Sequence, residues 1–235
     1  SSDVCSSDLH GYSDDETGWI QFGEANSIAD KGIANGDFPP CIIVMPDGKL
    51  SWYINSYDGI DRWEDMFILE FIPFIEKEYR IRSKQEFRAI AGLSMGGNGA
   101  LLLSMRNPGL FSSCVAMSAA IFTDEEVLTH EPYDRYFKNI YGPKPVNGVV
   151  TDYWKSHSPL HLIESVEQEK LKAIRYYIDC GDDDFLYKGN STFHIKMSDL
   201  GIPHEYRVRN GGHSWSYWRT GLFDGLKFIS EKFHR

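Results

Sequence analysis

Residues 87–107 read FRAIAGLSMGGNGALLLSMRN. The run FRAIAGL (87–93) has the length and composition of a buried parallel strand. MGGNGALLLSMRN (95–107) then takes up helical spacing. Between the two stands Ser94, with Gly92, Gly96 and Gly97 as small neighbours. A serine hydroxyl is a poor nucleophile unless a neighbouring base takes its proton. On a tight strand-to-helix bend it gains two things: exposure to such a base, and the free N–H groups at the start of a helix. GLSMG therefore fits the G-x-S-x-G nucleophile elbow in the context that motif requires. The competing reading is a plain glycine-rich turn, which needs no partner groups elsewhere in the chain.

Away from this bend, strand-like and helix-like segments alternate. The spacing predicts helices over 23–37, 62–80, 190–200 and 214–233, and strands over 41–48, 111–120, 172–181 and 204–212. Pro73 falls inside the second helix and should kink it or mark a first-turn boundary. Residues 121–165 carry Pro132, Pro143, Pro145 and Pro159 among aromatic residues, and read as short helices and loops inserted over one face. Strands alternating with helices imply βαβ units and a doubly wound, mostly parallel sheet in one α/β domain.

If Ser94 is a nucleophile, an acid and a histidine should follow it in that order. The chain offers DCGDDDFLY (179–187) after one strand and NGGHSW (210–215) after the next. Both loops fall at the carboxyl edge of the sheet, where open α/β sheets place their sites. His213 sits there just before the last helix. His157 and His161 lie in the insertion, His194 on a helix and His204 at a strand start. For the acid, Asp179, Asp182, Asp183 and Asp184 remain alternatives. Their spacing is not that of a calcium loop.

Composition narrows the field. The formal charge of −10 argues against a nucleic-acid surface, which needs clustered Lys and Arg. No apolar run approaches the roughly 18 residues that span a membrane. Cys5, Cys41, Cys114 and Cys180 form no CxxC pair, so neither a disulfide framework nor a zinc site is indicated. Trp19, the WYINSY segment (52–57), Trp215 and Trp218 fall on predicted active-edge segments, and aromatic walls there would suit a sugar face or a cinnamoyl ring. Trp19 and Trp215, nearest the motifs, are the candidate substrate-binding residues.

GLSMGG, the GDDDFL loop, GGHSW and the opening HGYSDDETGW together resemble the esterase D-like branch of the α/β-hydrolases. That branch includes feruloyl and acetyl xylan esterases of carbohydrate esterase family 1, S-formylglutathione hydrolases and the antigen 85 mycolyltransferases. The resemblance runs from His10 to the C-terminus. It implies the α/β-hydrolase fold, with Asp184 as catalytic acid beside Ser94 and His213. It also implies that the backbone amides of Tyr12 and Met95 form the oxyanion hole, with no cofactor and no metal. The expected substrate is a small ester or an acylated oligosaccharide, with feruloyl or acetyl xylan favoured and a secreted or periplasmic location. A short-chain carboxylesterase or thioesterase, an acyltransferase and an inactive sugar-binding domain are the alternatives. Nothing in the sequence bears on oligomeric state.

Residues 1–9, SSDVCSSDL, depart from this pattern. They repeat SSD, show neither periodicity, and resemble the translated read-through of a sequencing-library adapter. The domain is accordingly expected to run from 10 to 235, truncated at its N-terminus. Its sheet should lack the early strands, and the Tyr12 loop should be poorly anchored.

Overall fold

The computed structural model describes residues 5–233. Six strands form one all-parallel sheet: β1 (Cys5–Leu9), β2 (Ile42–Val44), β3 (Arg88–Leu93), β4 (Ser113–Met117), β5 (Arg175–Gly181) and β6 (His204–Arg209). Their order is β2-β1-β3-β4-β5-β6. Parallel neighbours need crossovers, and helices supply them. Helices α1 (Gly18–Gln21) and α2 (Ala25–Asn35) lead from β1 to β2. Between β2 and β3 come α3 (Trp63–Met66), a π-helical turn (Phe67–Phe71) and α4 (Ile72–Glu78). Pro73 lies in the first turn of α4. Proline has no N–H to give the preceding turn, and the ladder takes the wider π spacing just before it.

The 12-residue α5 (Met95–Arg106) follows β3. The insertion resolves into α6 (Asp124–Thr129), α7 (Tyr133–Tyr136), α8 (Lys138–Tyr141), α9 (Asp152–Lys155) and α10 (Pro159–Ser165), and α11 (Gln168–Lys172) follows it before β5. Helix α12 (Tyr187–Asp199) joins β5 to β6, and α13 (Trp215–Ser230) closes the described chain. Among the described residues no helix is long and apolar enough to cross a membrane. Cys41, Cys114 and Cys180 are free thiols.

Strand alternation splits the core into two layers. Leu9, Ile90, Cys114, Ala116, Tyr176 and Ile178 pack with α5, α10, α12 and the insertion. Ala89, Ala91, Leu93, Val115, Met117 and Tyr177 pack with α2 and α13 on the other face. This is the doubly wound α/β-hydrolase architecture.

One expectation is corrected. Cys5–Leu9 lies inside the sheet, paired with β2 on one side and β3 on the other, with Ser6 beside Ala89 and Asp8 beside Ala91. Its side-chain pattern hides it, but a ladder is made of backbone groups that any non-proline residue supplies. The early strands expected to be missing therefore do not include the one that runs into His10–Gly11, because residues 5–9 form it, with residues 1–4 outside the described chain. Nor is the Tyr12 loop loosely held. The Tyr53 hydroxyl donates to the His10 carbonyl at 2.8 Å, and the Gly48 amide donates to His10 Nε2 at 2.8 Å.

Candidate active site

Tyr12, Ser94, Asp184 and His213 follow the carboxyl ends of β1, β3, β5 and β6. Leaving β3, the chain reverses at Ser94, whose φ of 54° and ψ of −119° no ordinary strand or helix residue adopts. Its amide donates to the Met117 carbonyl of β4 and its carbonyl accepts from the Ala120 amide, so the bend is tied to the neighbouring strand. Close packing explains the glycines. A Cβ at Gly92 would stand 2.2 Å from the Gly96 carbonyl oxygen, and one at Gly96 only 2.1 Å from that of Leu9. The bend can thus press α5 against both β3 and β1.

His213 arrives from the loop before α13. Its Nε2 lies 2.9 Å from Ser94 Oγ, and its Nδ1 lies 2.9 Å from Asp184 Oδ2 and 3.1 Å from Oδ1. With a carboxylate on Nδ1, that nitrogen carries the proton and Nε2 is left to accept from the serine hydroxyl. The His213 ring is held between Phe185, 4.6 Å away, and Trp218, 4.8 Å away and nearly perpendicular. Asp184 is 1% exposed. Burial pushes its carboxyl up, but hydrogen bonds from His213, the Leu186 amide and the Ser118 hydroxyl, together with the His213 charge, outweigh burial and leave it below its ordinary value. Ser118 Oγ in turn accepts from Trp218 Nε1 at 3.0 Å.

The other acids serve elsewhere. Asp179, fully buried on β5, takes Arg209 Nε at 3.0 Å and Nη2 at 3.1 Å, and the Tyr217 hydroxyl as well. Its carboxyl is raised chiefly by burial, against the pull of those partners. It ties β5 to β6 and α13, the elements on either side of His213. Asp182 accepts from the Gly211 amide at 2.9 Å, and Asp183 is exposed. Among the other histidines, His194 and His204 pair with each other, His161 pairs with Asp124, and His157 meets the Tyr153 carbonyl.

The loop after β1 reaches the same point. A Cβ at Gly11 would come within 3.6 Å of Ser94 Cβ. The Gly11 carbonyl accepts from His10 Nδ1 at 2.8 Å and from the Asp14 amide at 3.2 Å. Because the Gly48 amide occupies Nε2, the His10 proton sits on Nδ1, and the ring holds that carbonyl in one direction. A trans peptide is planar, so the Tyr12 N–H points the opposite way. Among the described residues neither the Tyr12 nor the Met95 amide donates to a protein acceptor, as befits a helix start and an outward-turned peptide. His10 and Tyr53, not singled out in the sequence, are the residues that orient this loop. The HG dipeptide was the available signal.

Ser94, Met95, Gly11, Tyr12 and His213 line a cavity of about 880 Å³. Its walls are aromatic: Trp215, Trp218 and Phe185 on one side, and Trp52, Phe122, Tyr136 and Phe137 on another, with His130 among them. The expectation for Trp215 agrees with this placement. That for Trp19 does not. Trp19 is 0% exposed and its ring stands edge-on to Trp215 at 5.5 Å, so it backs the wall without reaching the cavity. Proximity to a motif in sequence placed it one layer too close. Most of the second wall comes from the insertion, whose aromatic richness was visible but whose direction was not.

Residues 8–229 match the Esterase family. The chain is 24% identical over 225 residues to an acetyl esterase of Caldicellulosiruptor saccharolyticus, covering 95% of this chain and 82% of that protein. It is 34% identical over 169 residues to an endo-1,4-beta-xylanase/feruloyl esterase of Xylanibacter ruminicola, covering 71% of this chain but only 22% of that longer protein. A solved ferulic acid esterase superposes with a TM-score of 0.82 at 29% identity, covering 99% of this chain and 87% of the other. The chain belongs to the Esterase family, and it is a carboxylic-ester hydrolase of the α/β-hydrolase fold.

Proposed function

We propose that the chain is a serine esterase that releases a feruloyl-type acyl group from plant polysaccharide, with acetyl xylan as the smaller alternative. The observation that carries this reading is the line of hydrogen bonds from Ser94 through His213 to Asp184, opening into an aromatic cavity far larger than an acetyl group needs.

In the proposed reaction His213 Nε2 takes the Ser94 proton as Oγ attacks the ester carbonyl carbon. The tetrahedral oxyanion is held by the amides of Met95 and Tyr12. Each such donor is typically worth roughly 3 to 4 kcal/mol of transition-state stabilisation. Asp184 keeps the proton of the neutral ring on Nδ1 and stabilises the imidazolium that forms. Collapse of the intermediate expels the alcohol, which leaves with the proton from His213. Water then repeats the sequence on the acyl-enzyme and returns the acid and free Ser94. Ser94, His213 and Asp184 already lie within hydrogen-bond reach of one another, which supports this order of proton transfers. A polysaccharide substrate also favours a secreted or periplasmic enzyme.

The test follows the acid released from methyl ferulate, acetylated xylo-oligosaccharide and S-formylglutathione by the wild type and Ser94→Ala. Serine-dependent ferulate release, faster than acetate release, is the expected result. Preference for the thioester would replace this reading with a thiol-ester hydrolase.

A further inference from the structure

His130 follows α6 and lines the cavity on the wall supplied by the insertion. Its ring stands among Phe137 at 4.9 Å, Tyr136 at 5.5 Å and Phe122 at 5.8 Å, each steeply inclined to it. Three aromatic neighbours fix the imidazole without using its nitrogens. Neither ring nitrogen has a hydrogen-bond partner among the described residues. Burial chiefly, with help from Lys144, holds its pKa below the ordinary value against the opposing pull of Glu131 and Glu126. Near neutral pH the ring is therefore uncharged, with one nitrogen a donor and the other an acceptor.

Other polar side chains on this wall are engaged. Glu126 closes the capping box with Thr123, and Glu131 pairs with Lys144. Thr129 donates to the Glu125 carbonyl at 2.7 Å, and the Tyr12 hydroxyl to that of Arg135 at 3.3 Å. Among the described residues of this wall, only the Tyr136 hydroxyl shares the freedom of His130. A half-buried polar group enclosed by aromatic rings loses hydration without a protein partner in return, and a ligand group that supplies the missing bond is favoured there.

Position says which ligand group. Tyr12 follows Gly11, where a Cβ would come within 3.6 Å of Ser94 Cβ; the Tyr12 ring is 5.5 Å from that of Tyr136, and the Tyr136 ring is 5.5 Å from that of His130. A flat acyl group lying along this wall from the Ser94 carbonyl site presents its far end to His130. A polymeric alcohol must stay outside the protein, so the enclosed wall belongs to the acyl side. We infer that His130 is the specificity-determining residue for a phenolic acyl group, hydrogen bonding the hydroxyl at the far end of its ring. This deepens the proposed function and rests on it.

The experiment compares kcat/KM for methyl ferulate with that for methyl 3-methoxycinnamate, which lacks only the hydroxyl. The wild type should favour ferulate by roughly 3- to 10-fold, the worth of one partly buried hydrogen bond. His130→Phe should bring that ratio close to one while cleavage of the 3-methoxy ester persists. His130→Gln should recover part of the preference, and Tyr136→Phe should leave it intact. Equal wild-type rates on the two esters would overturn the inference, as would a ratio unchanged in His130→Phe or lost in Tyr136→Phe. If the wild type released acetate or formate but cleaved neither cinnamate, the aromatic-acyl reading itself would fall and take this one with it. Cleavage of both without discrimination would remove only the role of His130.

Discussion

Strands β1 and β3 lie side by side in register, and both end at the candidate active site, yet their sequences have little in common. In β3, Ala89, Ile90, Ala91 and Leu93 are buried apolar residues. Their partners in β1 include Ser6, Ser7 and Asp8, all equally buried. Ser6 donates to Asp8 Oδ1 at 2.7 Å, while Asp8 Oδ2 has no hydrogen-bond partner among the described residues. Ser7 borders a void of about 20 Å³ lined by Val44, Phe71, Ile72, Ile75, Ala89 and Phe111, with the paired Arg88 and Glu76 at its edge. Pairing and side-chain burial are thus separable. The backbone ladder delivers His10–Gly11–Tyr12 to Ser94 whatever the side chains are, and the polar residues charge that placement against stability. On this account β3 supplies the nucleophile at little structural cost, and β1 supplies its opposite wall at a substantial one.

Changing what each strand delivers should expose the contrast most strongly. Ser94→Ala should lower kcat by roughly 10⁴- to 10⁶-fold, with the thermal midpoint almost unmoved, as steady-state kinetics and calorimetry would show. On the β1 side, His10→Ala frees the Gly11–Tyr12 peptide to turn. It should lower kcat by about 10²- to 10³-fold, the worth of one oxyanion donor, with KM little changed. Some stability should go with it, since the Gly48 amide loses its buried acceptor. A fall in KM-controlled binding alone would remove the positioning role of His10.

Asp8 gives the next effect, and its sign can be worked out. Burial pushes its carboxyl up to about 6, against a smaller downward pull from Ser6. The native state therefore holds the proton more tightly than the unfolded chain does. Relative to the protonated native state nothing is lost below pH 4, and stability falls as pH rises through 6, by about 3 kcal/mol in all at neutral pH. Asp8→Asn should raise stability at pH 7.5 by about 2 to 3 kcal/mol in denaturant titrations, and the gain should vanish near pH 4. A gain independent of pH would mean the charge of Asp8 is not the cause. The smallest effect belongs to Ser7→Val, which adds a methyl group beside the void and a β-branched residue to a strand. About 1 kcal/mol of stabilisation is expected, with kcat unchanged.

What could be read from the amino acids alone follows the same division. The β3–Ser94–α5 unit was legible because burial, glycine spacing and chemistry coincide within 21 residues. His213 was legible from chain order and its glycine loop. Asp184 needed a resemblance, because Asp179 at the end of β5 and Asp182, Asp183 and Asp184 in the loop after it lie within six residues, and only packing shows that Asp179 is spent on Arg209 and Tyr217. Strand β1 was illegible because hydrophobic patterning reports side chains, whereas parallel pairing is made by the backbone. Trp19 and the aromatic wall from the insertion depended on which side of a layer each ring faces, which tertiary packing decides.

The central claim is that Ser94, activated by His213 and Asp184, is the nucleophile. Labelling with a fluorophosphonate tests it most directly, since only an activated serine reacts quickly. The account predicts one adduct per chain, located by peptide mass spectrometry on the segment holding Ser94, with esterase activity lost in proportion to labelling. Neither His213→Ala nor Ser94→Ala should label. An adduct elsewhere, or hydrolysis that persists in fully labelled protein, would contradict it.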